Sequence, residues 1–197
     1  MSYTTYQMQQ PSYTARSADV SEEQAWIMAA QQDSRKFEPL YNRYYEAIYR
    51  FIYQRVNDKH ATSDITSEVF IKALSNLHSF SHQGIPFSSW LFRITRNMLI
   101  DRFRRGKNHR VINVETSALA GMAEEAEVAG VDEGKMNRML QCLENLADED
   151  MQLIEMRYFE KRSFKEIGEI LDITENNAKV KTYRILDKMK NLMQQAK

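Results

Sequence analysis

Residues 87–110 read FSSWLFRITRNMLIDRFRRGKNHR and follow directly on Pro86. Trp90, Leu91, Ile94, Met98 and Leu99 recur at the three-to-four spacing of one helical stripe, and Ser88 or Ser89 is placed to cap the helix start. The other faces carry Arg93, Arg96, Asn97, Arg102, Arg104, Arg105, Lys107 and Arg110. Between Trp90 and Arg110 that makes seven basic residues against one acid, Asp101. A solvated face normally mixes signs. A helix that packs through one side and offers arginine, asparagine and neighbouring aromatics on the other can hold phosphates and stack unpaired bases.

The 197-residue chain has a net charge of zero, so its overall charge does not point to nucleic acid. The distribution does. Residues 111–134 hold six acids (Glu115, Glu124, Glu125, Glu127, Asp132, Glu133) and no Lys or Arg, immediately after the basic stretch. The zero is therefore a cancellation of opposite surfaces. Cys142 is the only cysteine, which excludes an intramolecular disulfide and a cysteine-based zinc site. It falls on a helical pattern between Leu140 and Leu143 and reads as a core thiol. No apolar run is long enough to span a bilayer, and the N-terminus has neither the basic start nor the apolar core of an export signal. A cytoplasmic protein with no membrane insertion of its own is expected.

Outward from the basic helix, residues 1–18 are polar and tyrosine-rich, a composition that reads as a flexible arm. A short helix begins after a cap at Asp19 or Ser21. A longer one over 36–57 carries Phe37, Leu40, Tyr41, Tyr44, Tyr45, Ile48, Phe51, Ile52 and Val56 at a 3.6 period, with Pro39 in its first turn. Thr62 or Ser63 can cap a third helix striped by Ile65, Val69, Ala73 and Leu77 and widened by Phe70 and Leu74. Asp64 and Glu68 lie beside that stripe. Residues 75–86 read as a loop that keeps His78, Phe80 and His82. The two histidines lack a third ligand at metal spacing, so no metal is expected. The loop either presents an aromatic to an extruded base or tucks Phe80 into the core.

Residues 111–134 read as an acidic linker or weak helix. From residue 135 the apolar period resumes, with Asp148 or Asp150 available as a cap. Ser163 then caps a short helix, Asp172-Ile173-Thr174 makes a three-residue turn, and a second helix starts at Glu175. Short helix, tight turn and longer helix form a helix-turn-helix. On the last helix Ala178, Thr182, Ile185, Leu186 and Met189 share the packed face. Asn176, Asn177, Lys181, Arg184 and Lys188 lie away from it, and Val180 stands opposite. An exposed valine among amides and cations suits thymine methyls and base edges in a major groove. The expected architecture is all-α: arm 1–18, helical domain 19–110, acidic linker 111–134 and a helix-turn-helix domain 135–197.

Three strings, in this order, resemble the extracytoplasmic-function group of bacterial sigma factors over about residues 20–193: TSDITSEVFIKAL at 62–74, FSSWLFRITRNMLIDRFRR at 87–105, and SFKEIGEILDITENNAKVKTYRILDKMKNLM at 163–193. The resemblance implies an initiation factor without catalytic chemistry or cofactor. Asp64, Ile65, Glu68 and Phe70 would face core RNA polymerase. His78, Phe80, Trp90, Arg93, Arg96, Asn97, Arg102, Arg104 and Arg105 would recognise and open the minus-ten element of promoter DNA. Asn176, Asn177, Val180, Lys181, Arg184 and Lys188 would read the minus-thirty-five duplex. An anti-sigma protein is a further partner that the family often has. The chain departs from the usual pattern at Ser67, Gly168, Asp172, Asn176, Asn177 and Ala178. A conventional operator-binding regulator would explain the C-terminal half but leave the helix of Asp64 and Glu68 and the basic helix without roles.

Overall fold

The computed structural model describes residues 17–81, 85–106, 116–125 and 133–195, and every regular element among them is helical. The chain divides into two compact units between Arg43 and Tyr44. Most of the expected arm, His82, Lys107 and Arg110 lie outside the described residues.

In the first unit, α1 (Ser17–Gln32) begins before the expected caps at Asp19 and Ser21. A 3-10 turn, Ser34–Phe37, starts at Asp33, whose carboxylate accepts from the Arg35 backbone N–H at 3.0 Å. Then α2 (Glu38–Val56) opens with Pro39 in its first turn, where a missing N–H costs no intrahelical bond. Glu23 faces Arg43 at 3.7 Å, and the Arg43 guanidinium lies 5.7 Å from the Trp26 ring.

The second unit holds the remainder of α2 and everything after it. Two residues join α2 to α3 (Lys59–Asn76). Asn57 takes a left-handed conformation (φ 52°), which asparagine tolerates, and its N–H closes the end of α2 on the Tyr53 carbonyl. Asp58 then caps α3, accepting from the Ala61 N–H at 2.7 Å. The expected caps Thr62 and Ser63 are one turn inside the helix and bond back to the carbonyls of Asp58 and Lys59. A carboxylate at the joint out-competes the hydroxyls that follow it.

The stripe on α3 runs on through a 3-10 turn at Leu77–Ser79, so less of the segment 75–86 is loop than its composition suggests. Helix α4 (Phe87–Arg104) starts after Pro86, and neither Ser88 nor Ser89 caps it. Its buried face is Phe87, Ser89, Leu91, Phe92, Thr95, Leu99 and Ile100; Trp90, Ile94 and Met98 are only half-buried, a rotation of the expected stripe. The shift follows from the partners. Phe92 meets Phe51 edge-on at 5.1 Å and Phe87 meets Tyr44 at 5.5 Å, so the phenylalanines set the inward direction.

Of the two readings of residues 111–134, linker or weak helix, the described residues 116–125 take the helical one. Helix α5 (Thr116–Glu125) buries Leu119, Met122 and Ala123, and the Tyr158 hydroxyl donates to Glu125 at 2.9 Å. After α6 (Glu133–Glu144), α7 (Asp148–Ile154) starts without a side-chain cap; Asp148, Glu149 and Asp150 are inside its first turn, where the helix dipole favours them. It passes into one turn of π-helix, Glu155–Phe159.

The helix-turn-helix forms as expected from α8 (Phe164–Leu171) and α9 (Glu175–Gln195). Ser163 and Glu166 make a reciprocal capping box on α8. Its far end turns on Asp172 in a left-handed conformation (φ 60°), while the Ile173 N–H reaches the Gly168 carbonyl at 2.9 Å. A Cβ on Gly168 would stand 2.7 Å from the Ile173 carbonyl oxygen. That is a backbone atom that cannot rotate aside, so the departure at Gly168 is required by this close turn. Gly168→Ala is expected to destabilise the fold by about 1–3 kcal/mol, the usual cost of overpacking, measured as a lower urea midpoint with unchanged slope.

Candidate nucleic-acid interface

The residues expected to face polymerase divide into two kinds. Asp64 and Glu68 are exposed on α3, whereas Ile65 is fully buried and Phe70 nearly so, stacking on Tyr45 at 6.4 Å. Ile65 and Phe70 therefore position that surface and cannot be its contact atoms. Glu68 also accepts from Arg102 of α4 at 2.6 Å, which ties the acidic and basic candidates to each other.

Phe80 takes the core alternative. It is 7% exposed and meets the rings of Phe87 and Trp90 at 5.4 and 5.1 Å. Its role is to brace Trp90, which stays half-buried at the start of α4. His78 is exposed, with its Nδ1 3.1 Å from the Ser75 carbonyl oxygen. Asn97 and Arg105 are exposed, and the Arg96 guanidinium donates to the Asn97 side-chain oxygen at 3.2 Å.

The rest of the basic face is turned toward the C-terminal helices. Arg93 donates to the Glu169 backbone carbonyl at 2.7 Å and to the Asp172 carboxylate at 3.2 Å. Ser89, in place of capping its own helix, donates to the Glu169 carboxylate at 3.0 Å. Arg104 pairs with Glu149. Partial burial lowers the basicity of the Arg96 guanidinium, and nearby Glu149 works against that.

On α9 the expected faces separate cleanly. Ala178, Thr182, Ile185, Leu186 and Met189 are buried, with the Thr182 hydroxyl folded back on the Ala178 carbonyl at 2.9 Å. Asn176, Asn177, Lys181, Arg184 and Lys188 are exposed, and Val180 is 46% exposed. Lys181, Arg184 and Lys188 line a cleft of about 410 Å³ whose opposite side includes Arg96 and Glu149.

Sequence reasoning missed the most deeply placed charge in this region. Arg55 of α2 is buried between two carboxylates: Nε lies 2.8 Å from Glu155, and a terminal nitrogen donates to Glu160. Its other terminal nitrogen donates to the Phe51 carbonyl at 2.8 Å, and the guanidinium sits 3.6 Å from the Phe51 ring centroid. Burial alone would raise the pKa of Glu160, yet Arg55 and Arg162 hold it below the usual carboxylate value. Arg162 in turn lies 4.2 Å from the Phe92 ring centroid. The signal was present as an arginine inside an apolar stripe, one turn after Phe51 and next to Val56.

Comparison with known proteins identifies the family of the chain. Residues 40–109 match the family model described as Sigma-70 region 2, and residues 136–189 match Sigma-70, region 4. The ECF RNA polymerase sigma factor SigW of Bacillus subtilis is 30% identical over 161 residues, spanning 77% of this chain and 86% of that protein. SigM of the same organism is 28% identical over 78% of this chain and 92% of that protein. BldN of Streptomyces coelicolor is 28% identical over 80% of this chain, but the match covers only 60% of BldN. The solved structure of CnrH in complex with the cytosolic domain of CnrY superposes with a TM-score of 0.55 at 20% identity, covering 88% of this chain and 97% of that one, a likeness of fold.

Proposed function

The chain belongs to the extracytoplasmic-function group of RNA polymerase sigma factors, and from that premise we propose that it directs core RNA polymerase to promoters, reading the minus-thirty-five element as duplex and opening the minus-ten element. It acts in the cytoplasm and has no catalytic chemistry of its own. The observation that carries the reading is the separation of two basic surfaces onto different helices: α4 next to a braced Trp90, and the outer face of α9 with Val180 at its centre. Single-strand recognition needs cations with an aromatic platform, whereas duplex recognition needs a helix with a projecting polar face. This chain has one of each. Trp90, Arg96, Asn97 and Arg105 are assigned to the opened strand, and Asn176, Asn177, Val180, Lys181, Arg184 and Lys188 to the duplex. An anti-sigma partner remains a family expectation.

The test is whether the purified chain co-elutes with core polymerase and makes it initiate at defined promoters. Asp64 and Glu68 give that test a variant. Their carboxylates are exposed on α3, and the Glu68–Arg102 bridge is a surface pair worth about 0–1 kcal/mol to the fold. Asp64→Lys with Glu68→Lys should therefore fold normally yet lose at least tenfold in polymerase affinity, since like-charge contact at an interface costs several kcal/mol. Undiminished affinity in the folded double variant would remove this surface from the polymerase contact.

A further inference from the structure

Helix α5 is buried out of proportion to its own strength. It has ten residues, fewer than an isolated helix needs in water. Gly121 stands in its middle, where glycine weakens a helix about fivefold relative to alanine, and a Cβ there would meet no atom of the described residues within 4 Å. Packing therefore gives no reason for that glycine. The last turn carries Glu124 and Glu125 and no base, an arrangement that the helix dipole disfavours. Yet Leu119, Met122 and Ala123 are at most 3% exposed. What holds α5 is its seat on the helix-turn-helix domain. The Glu125 carboxylate accepts from Tyr158 of the π-turn at 2.9 Å and also from the Tyr183 hydroxyl of α9. Phe164 of α8 braces Tyr183 at 6.2 Å, with the Arg157 guanidinium 4.5 Å from the Phe164 ring centroid. Helix α5 is thus helical because it is docked.

Docking has two consequences for promoter binding. It shortens the tether between the two domains. Eleven residues separate Arg104 at the end of α4 from Thr116, and whatever their conformation they reach at most about 40 Å. With α5 released and unwound, 28 residues separate Arg104 from Glu133, and the reach rises to about 100 Å. Minus ten and minus thirty-five lie about 25 base pairs apart, about 85 Å of duplex at roughly 3.4 Å per pair. The bodies of the two domains cover part of that distance, but the shorter tether spans the rest only when stretched straight. The second consequence is electrostatic. Tyr183 lies three residues beyond Val180 and seven beyond Asn176, on the same side of α9. The acidic end of α5 therefore borders the face assigned to duplex, where phosphates repel it.

We infer that α5 is a folded reserve of linker: it is helical only while Glu125 is held between Tyr158 and Tyr183, and engaging both promoter elements at once draws it off the helix-turn-helix domain. The inference rests on the assignment of α4 and α9 to the two elements given above. Release unwinds α5, so the weakness built in at Gly121 and at the acidic end lowers what promoter binding must overcome. A helix strong enough to stand alone would hold the linker short.

Two substitutions that leave every residue assigned to DNA in place move the release in opposite directions. Gly121→Ala adds a methyl in open space and should slow amide hydrogen exchange at residues 119–125 of the free full-length chain about fivefold. Glu125→Gln removes the charge held by the two tyrosines and should speed that exchange. In the complex with core polymerase, Gly121→Ala should then weaken promoter affinity about fivefold, and Glu125→Gln should strengthen it. A cleavable bridge fixes the docked form outright. In a full-length chain carrying Cys142→Ser, the pair Glu125→Cys and Tyr183→Cys is joined by a short bismaleimide with an internal disulfide. The bridged chain should give less than a tenth of the promoter-specific transcript of the same chain after reduction. Equal transcription before and after reduction, or a Gly121→Ala chain that slows exchange yet leaves promoter affinity unchanged, overturns the inference alone. So does exchange at residues 119–125 of the free chain as fast as in an unfolded peptide. A wild-type chain silent at every promoter with core polymerase would sink the sigma reading and this inference with it.

Discussion

Arg55→Ala is expected to cost about 3–5 kcal/mol of stability, because it removes from a buried site the cation that Glu155 and Glu160 share. The size of the effect comes from the desolvation of what remains more than from the ion pairs removed. Arg55 is 2% exposed, its guanidinium lies against the Phe51 ring, and Glu160 has only Arg162 as a second partner. A compensated variant separates the two causes. Arg55→Met combined with Glu155→Gln and Glu160→Gln removes the charges together, and it should recover most of the loss if uncompensated charge is the cause. Urea unfolding of the three proteins measures this directly, and a triple variant as unstable as Arg55→Ala would mean that shape, not charge, is decisive. The same site sets an acid limit. The folded-state pKa of Glu160 lies below its unfolded value, so its contribution is fully present above the unfolded carboxylate range and is lost as pH falls through the depressed folded pKa. Acid should therefore mimic Arg55→Ala only well below pH 4.5, the ordinary value for a glutamate, and Glu160→Gln should remove that part of the acid sensitivity.

That triad also marks where reading along a sequence stops. The packed face of α9 was legible because a 3.6 period is a local property, and Ala178, Thr182, Ile185, Leu186 and Met189 need only the turn before them to define one side. The cap at Ser163 was legible for the same reason, and the structure adds Glu166 as its reciprocal partner. Arg55 was not, since its carboxylates are about a hundred residues away, nor was Ser89, which bonds a glutamate 80 positions on. Local signals also mislead when two compete. Ser88 and Ser89 look like caps, but Pro86 sets the start of α4 and frees Ser89 for a distant partner. Asp58 starts α3 one turn ahead of Thr62 and Ser63. Burial was the other gap. Ile65, Phe70 and Phe80 are placed by three-dimensional neighbours, so a family pattern could assign them to surfaces that their packing denies them.

The second large effect is expected on sequence preference. The outer face of α9 presents Val180 at 46% exposure between Asn177 and Lys181, with Arg184 and Lys188 successive turns beyond. A β-branched side chain left about half in solvent opposite Ala178 and Ile185 contributes little to the core of its own domain. In a major groove it can meet a thymine methyl while Asn177 or Arg184 bonds a base edge. A direct base contact discriminates by about 1–3 kcal/mol, equivalent to roughly 5- to 150-fold between promoters, whereas a phosphate contact weakens all sequences alike and lowers the salt slope by about one. The substitutions should therefore separate. Val180→Ser and Asn177→Ala should re-rank a library of randomised minus-thirty-five elements transcribed with core polymerase, and Arg184→Ala should both weaken and re-rank it. Lys188→Ala should reduce every promoter with the ranking intact, because Lys188 lies at the C-terminal side of the face, where a helix entering a groove by its N-terminal half meets the backbone. None of these side chains supports the core, so circular dichroism melting should be unchanged within about 0.5 kcal/mol. If Val180→Ser and Lys188→Ala give the same uniform loss, α9 grips phosphates through this face and bases are read elsewhere.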